Sequence, residues 1–299
     1  MAFVKSNLNY AKEYSQALAQ AYPYTLYFGA LWSAVKPDVK FLNNNTVILP
    51  SLTVKGRANG DRDTIGSFAR NFNNAEESKT LKTHRTWNTL VHPRDIDETN
   101  YVASIQNITR VMNEEQKFPE MDAEMITALY KLKNAQEAIT ADDILTTANV
   151  LTKFDALMDK MDEKRVPAAG RLLYVDTFTK TLIDTAKDVS RKSGDSVLGR
   201  TVSRIDEVEV IGVPTSAMKS EYILSATDGF SVAEGAKDVK MLLVHPSAVI
   251  PVITYDFAEL GLPSALSQGK YTYFEESFED VFIYDKKHDG IQFYIERSA

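Results

Sequence analysis

The sequence contains no cysteine, only four histidines and two tryptophans, and no apolar run near the roughly 18 residues that a membrane-crossing helix requires. The missing thiols exclude disulfides, thiolate nucleophiles and thiolate metal sites together. Stability must then come from packing and from partners, which suits a chain made in a reducing cytosol. Also missing are a GxSxG nucleophile elbow, a phosphate-cradling GxxxxGKS/T, HExxH and a strand-linked GxGxxG. No catalytic, cofactor-binding or metal-ligating residue is nominated, and no cofactor is expected. Residues 1–20 lack the charged start and apolar middle of a secretory signal, which argues against export by that route.

Positive charge is in deficit, with 34 Lys and Arg against 41 Asp and Glu and a formal charge of −7. The basic residues are scattered, whereas a nucleic-acid reader needs them clustered to displace counterions from phosphates. An acidic average lets a protein lie beside DNA without adhering to it. The composition is otherwise that of an ordinary globular protein, 44% hydrophobic and 25% charged, in a length that fits one large domain or two smaller ones.

Four constellations that could carry chemistry fail on inspection. Asp61, Asp63 and Gly66 begin like a calcium loop, but Ile65 and Phe72 stand where oxygen ligands are required. His84 and His92 share strand parity, yet extended chain parts them by roughly 26 Å, too far for one metal. His245 precedes Pro246 and reads as a strand end. Glu275, Glu276, Glu279 and Asp280 offer an acid–base pair, but with no opposing histidine or metal signature a solvated turn is the better reading. The sequons at Asn44 and Asn107 carry no meaning without secretion.

The stretch that organises the rest is residues 97–134, DETNYVASIQNITRVMNEEQKFPEMDAEMITALYKLKN, the longest with helical periodicity. Asp97, Glu98 and Thr99 supply acidic and capping groups at its start, and Tyr101, Ile105, Ile108 and Met112 form one apolar face. Pro119 is expected to break or kink this helix and open a second piece through Met121, Met125, Ile126, Leu129 and Leu132. Glu120, Asp122 and Glu124 would complement the positive end of that piece. A third helix is expected from Thr140, with Asp143 completing a capping box, through Leu151, Phe154, Met158 and Met161.

Upstream, residues 6–20 read as a short helix followed by an aromatic run ending at Trp32, either docked on its own domain or an arm burying its rings on a neighbour. Trp32 is placed at a subunit contact, so that Trp32→Ala would damage assembly more than folding. Residues 40–54 read as an edge strand interrupted by Pro50, residues 55–80 as a polar tip, and residues 81–91 as the returning strand of an extended hairpin. A hairpin of that length is marginal alone and must reach a partner. Beyond residue 166 the texture is α/β: strands at 171–175, 207–213, 241–244, 249–255, 271–274, 280–284 and 291–296, a helix at 177–189 and a polar loop at 222–238.

This order of segments resembles the tailed-bacteriophage major capsid proteins of the Johnson fold, also called the Hong Kong phage capsid fold. NYAKEYSQAL looks like that family's N-terminal arm, VILPSLTV through THRTWNTLVHPRDIDETN like its extended loop, and TNYVASIQNITRVMNEEQKFPEMDAEMITALYKL like its spine helix. RVPAAGRLLYVDTFTKTLIDTAKD, VEVIGVPTSAM and MLLVHPSAVI are similar to phrases of its later half.

The resemblance implies an α+β fold with an N-terminal arm at 1–39, the extended β-hairpin loop at 40–96 and the spine helix of the peripheral domain at 97–135. An axial domain with a central sheet would occupy 136–255, with return strands at 256–299. It further implies a major capsid protein that self-assembles through pentamers and hexamers into an icosahedral shell around double-stranded DNA, without sequence-specific contact, made in the bacterial cytoplasm and resident in the virion. A portal and, because few residues precede the aromatic segment, a separate scaffolding protein are the expected partners; no membrane is. The loop at 222–238 would point to the capsomer axis, and Lys55 and Lys79 are candidates by position for the covalent cross-link that reinforces some shells of this kind. Encapsulin-type compartments share the fold and are the alternative. A cytosolic α/β enzyme with its site near residues 166–213 is a further one.

Overall fold

The computed structural model describes residues 24–33, 40–43, 46–57, 70–98, 104–190, 204–205, 208–225, 227 and 229–297. The expected helix at 6–20, Thr99 and Tyr101, and the hairpin tip with Asp61 and Asp63 lie outside them.

In chain order the first half contains α1 (Gly29–Trp32), β1 (Lys40–Asn43), β2 (Thr46–Val54), β3 (Phe72–Thr80), β4 (His84–Val91), α2 (Pro93–Glu98), α3 (Ile105–Met112) and α4 (Phe118–Gln136). The second half contains α5 (Val150–Glu163), β5 (Leu172–Asp176), α6 (Thr177–Ser190), β6 (Arg204–Ile205), β7 (Val208–Val213), β8 (Tyr222–Leu224) and β9 (Phe230–Val232). It ends with β10 (Val239–Val244), β11 (Val249–Gly261), β12 (Tyr271–Ile283) and β13 (Ile291–Ile295).

A five-stranded sheet in the order β13-β10-β5-β7-β6 forms the centre. Its strands read as continuous apolar runs because both faces are covered. Leu172, Tyr174, Leu242, Val244 and Phe293 point to α4 and α1, while Leu173, Val175, Met241, Leu243 and Tyr294 point to the layer of α5 and α6. A three-stranded sheet, β11-β12-β4, carries the long helical rod, and β1-β2-β3 form a separate ribbon.

Six expectations are corrected. Pro119 does not break the rod, because residues 113–117 widen into a π-turn in which the Phe118 N–H bonds to the Asn113 carbonyl. That widening makes room for the proline ring and its missing donor, so helix runs from 105 to 136. The rod is capped at Ser104, whose hydroxyl accepts from the Asn107 N–H at 3.4 Å, while Asp97 and Glu98 end the short α2.

The Thr140–Asp143 capping box does not form. Asp142 bridges to Glu296 beside β13, exchanging backbone bonds of 2.8 and 2.9 Å with Ile295 and Arg297, and the helix starts only at Val150. Pairing with an open sheet edge outweighs one local cap.

The returning strand is also misassigned. β2 pairs with β3 from Thr46↔Thr80 to Val54↔Phe72, inside the segment read as polar tip, whereas β4 pairs with β12. β3 is exposed along most of its length, half-buried only at Glu77 and Lys79, and carries no apolar alternation to read. Pro50 sits where β2 has lost β1, whose partners end at Ile48, so its missing N–H faces an open edge. The strands expected at 271–274 and 280–284 are one central strand, β12, and Glu275, Glu276, Glu279 and Asp280 lie in it, not in a solvated turn.

Finally, Trp32 packs with Phe28 and Leu31 in the subunit's own core against α4, so the subunit-contact placement is wrong and its truncation removes private packing.

Candidate functional site

Two polar junctions and one projecting ribbon stand out. At the first junction β4 presents Arg85 to the first turn of α4, where Glu120 accepts from Nε at 2.6 Å and Nη2 at 2.9 Å. Nη1 donates to the Ser225 carbonyl at 2.7 Å and Nη2 to that of Gly229 at 3.3 Å, so one guanidinium joins the strand, the rod and the β8–β9 turn. Beside it Lys117, from the π-turn, meets Glu275 at 3.3 Å, and Tyr273 donates to the other Glu275 oxygen at 2.9 Å. Arg85, Lys117, Glu120, Glu275 and the β8–β9 turn line a polar crevice of about 230 Å³.

Below the crevice, the face of α4 that rests on β12 brings carboxylates together. Glu124 and Glu279 are buried, and burial followed by mutual repulsion holds Glu124 well above its usual range, with Glu279 and Asp280 raised chiefly by burial. One Glu124 oxygen has no hydrogen-bond partner among the described residues. A carboxyl whose pKa is higher folded than unfolded stabilises the fold at low pH and loses that contribution as pH rises through the shifted value. Glu124→Gln is therefore expected to raise the melting temperature at pH 8 and to lose that gain at pH 5. An equal change at both pH values would show that Glu124 is not held protonated.

At the second junction Asp122, fully buried, accepts from the Tyr24 hydroxyl at 2.9 Å, the Tyr27 N–H at 2.9 Å and the Phe28 N–H at 3.0 Å. The N-terminal segment is latched to the rod there. Burial raises the Asp122 carboxyl to about 6, against the lowering pull of the three donors.

The β2–β3 ribbon lacks such support. Leu52, Val54 and Phe72 share one face by register and are 62%, 64% and 51% exposed. Its root is tied down by Lys79 to Asp285 at 2.8 Å, and farther along β2 Thr53 accepts from Lys286 at 3.3 Å. Lys79 is thus engaged within the subunit, and Lys55 is exposed.

The structure scatters the residues weighed from sequence. His84 stacks on Phe278 and meets Glu276 at 2.7 Å, while His92 follows the strand and accepts from the Arg94 N–H. His245 caps the turn after β10, accepting from the Ser247 N–H at 3.2 Å. Among the described residues, the only side chains placed to share a metal are Glu137, His288 and Asp289, none of them nominated. Arg85 and Asp122 were missed as hubs: Arg85 reads as one polar position of an alternating strand, and Asp122 as a helix-end acid.

No family model matches the sequence, and no curated protein matches it. Solved structures do match along nearly the whole chain. The mature capsid of bacteriophage PhiM1 is 13% identical with a TM-score of 0.67, covering 97% of this chain and 93% of that one. The capsid of the cyanophage P-SCSP1u is 12% identical at 0.63, covering 97% and 93%. The capsid of an empty GTA particle is 12% identical at 0.60, covering 96% and 95%. The class these likenesses define is the mixed helix-and-strand fold of capsid subunits. More particularly, the chain has the phage capsid fold that the order of its segments implied.

Proposed function

We propose that the protein is the major capsid subunit of a tailed phage or prophage, assembling through pentamers and hexamers into an icosahedral shell that encloses double-stranded DNA. The observation that carries this reading is the likeness to capsid structures over nearly the full length of both chains. The described structure supplies a physical rationale. A ribbon exposing three large apolar groups on one face, rooted by an ion pair, is what a subunit needs to reach a neighbour, and repeated weak contacts of that kind act together at high effective concentration.

In this reading residues 1–39 are the arm, 40–96 the extended loop, 97–135 the spine, 136–255 the axial domain and 256–299 the return strands. The β8–β9 turn faces the capsomer axis. A scaffolding protein and a portal are the assembly partners, and the role is structural rather than catalytic. Among the described residues no helix is long and apolar enough to cross a membrane.

Negative-stain microscopy and size-exclusion chromatography of the protein, alone and co-expressed with its neighbouring genes, test the proposal. Rings or shells are expected; a persistent 33.5 kDa monomer stabilised by a small ligand would overturn it in favour of an enzyme. The double substitution Leu52→Asp with Phe72→Asp is expected to abolish shells while changing subunit stability by no more than about 0.5 kcal/mol, as for exposed sites generally. Shells of normal yield from that variant would remove the ribbon from the interface.

A further inference from the structure

A cleft of about 250 Å³ lies where the end of α5, the turn after β10 and the 3₁₀ turn Asp285–Gly290 meet. In a chain with seven more acidic than basic residues, this cleft is lined by Lys164, Arg165, Lys286 and Lys287 with His245, and by a single carboxylate, Asp289. Asp289 lies 3.9 Å from Lys164 and 3.6 Å from His288. Among the described residues Lys287 has neutral partners, the Ser247 carbonyl at 3.3 Å and the Tyr284 ring at 4.8 Å. Lys286 reaches the Thr53 hydroxyl, and the Arg165 guanidinium has no ion-pair partner among the described residues.

The cleft is held from beneath. Arg171, fully buried, donates to the Pro167 carbonyl at 2.9 Å, the Val166 carbonyl at 2.6 Å and Asp162 at 2.5 Å. Two loop carbonyls and Asp162 of α5 are thereby engaged with Arg171. Arg165 itself sits in the left-handed region, φ 61°, which a non-glycine residue adopts at a cost. Gly290 closes the floor, since a Cβ there would come within 3.0 Å of Ala248.

His245 reports on the field inside. Its Nδ1 accepts from Ser247, which leaves the proton on Nε2 to donate to the Ala169 carbonyl at 3.2 Å. Burial, with smaller help from the charges of Arg171 and Lys287, holds it below the usual histidine range against the raising pull of the Ala169 bond.

We propose that this cleft binds a phosphate group, presented either by a nucleic-acid backbone or by free phosphate. Four cations from two separate segments converge on a volume that suits one compact, highly charged oxyanion. An arginine fork with lysine point charges is the donor set such a group prefers. The contact reads no base, so it carries no sequence preference. It rests on the cleft alone, and unassembled subunits are used for its test, so failure to form shells would leave it standing.

The test combines NMR titration of His245 with fluorescence anisotropy of a labelled 12-base-pair duplex. Millimolar inorganic phosphate is expected to raise the His245 titration midpoint, since an anion beside the ring offsets Arg171 and Lys287. The duplex is expected to bind with a salt dependence whose slope falls by about 0.9, the value for one phosphate contact, in the Lys286→Gln, Lys287→Gln variant. Arg165→Gln, at an exposed site, serves as the second variant, with folding checked by melting. A His245 titration unmoved by phosphate overturns the site. So does an unchanged salt slope in both variants. Phosphate acting while the duplex does not bind assigns the free ion as the ligand, within the proposal. A polyglutamate chain shifting His245 as strongly as the duplex at equal ionic strength overturns phosphate in favour of an acidic protein segment.

Discussion

Arg85→Ala is expected to lower the melting temperature of the subunit by roughly 10 °C, from a loss of about 3–5 kcal/mol at about 2–4 °C per kcal/mol. The cost arises less from the lost attraction than from what is left behind. Glu120, only 15% exposed, would remain among Glu275 and Glu279 with no bidentate partner, and the Ser225 and Gly229 carbonyls would lose their donor. Hydrogen exchange should then accelerate in the β8–β9 turn more than in β5 or β10, because the guanidinium is what ties that turn to the sheet. Arg85→Lys should recover only part of the loss, since one ammonium cannot reproduce a fork that spans a carboxylate and two carbonyls. Unchanged melting and unchanged exchange in the alanine variant would show the junction to be incidental. If the turn faces the capsomer axis as proposed, the same variant should form irregular rings.

Asp122→Ala is the second large effect. The Tyr27 and Phe28 N–H groups would lose their acceptor, and orphaned donors in a buried site cost about 1–3 kcal/mol each. With the latch gone, Phe28, Leu31 and Trp32 would no longer be held against α4, and limited proteolysis should cut near residue 33 before any other described segment. The pH dependence separates charge from packing. Because Asp122 titrates near 6 in the fold against 3.8 for its ordinary value, the folded state binds the proton more tightly. Stability of the wild type relative to Asp122→Asn should therefore be greatest at low pH and should fall by about 3 kcal/mol as pH rises from below 4 to above 6, at 1.36 kcal/mol per pKa unit. A flat difference across that range in urea midpoints would mean that the carboxylate stays ionised throughout.

Both hubs show why the site was only partly legible beforehand. Glu120, Asp122 and Glu124 read as acids placed at the positive start of a helix opening at Pro119. In the structure α4 does open there, at Phe118 with Pro119 and Glu120 in its first turn, but the π-turn carries helix through residues 113–117 into it, and the three acids go to three different partners or neighbours. The β12 acids met the same fate: EESFED looks like a solvated turn, yet it is the middle of a central strand because β4 and β11 flank it on either side. His245 was correctly read as a strand end, but nothing near it in sequence announces Lys164, Arg165 and Arg171.

The elements whose burial is two-sided or strictly periodic were determined by the sequence itself. The apolar runs of β5 and β10, the α6 stripe of Leu182, Ile183 and Ala186, and the helical periodicity from Ile105 to Leu132 each specify their structure locally. The segment order was enough to point to the phage capsid fold. What only the tertiary structure decided is pairing: that β2 turns back on the polar β3, that β4 joins β12, that Asp142 abandons a helix cap for a sheet edge, and that Trp32 belongs to its own core. Backbone hydrogen bonds between distant strands leave no periodic trace in either partner, and a buried carboxylate looks the same in sequence as a solvated one, so both become visible only when the chain is folded.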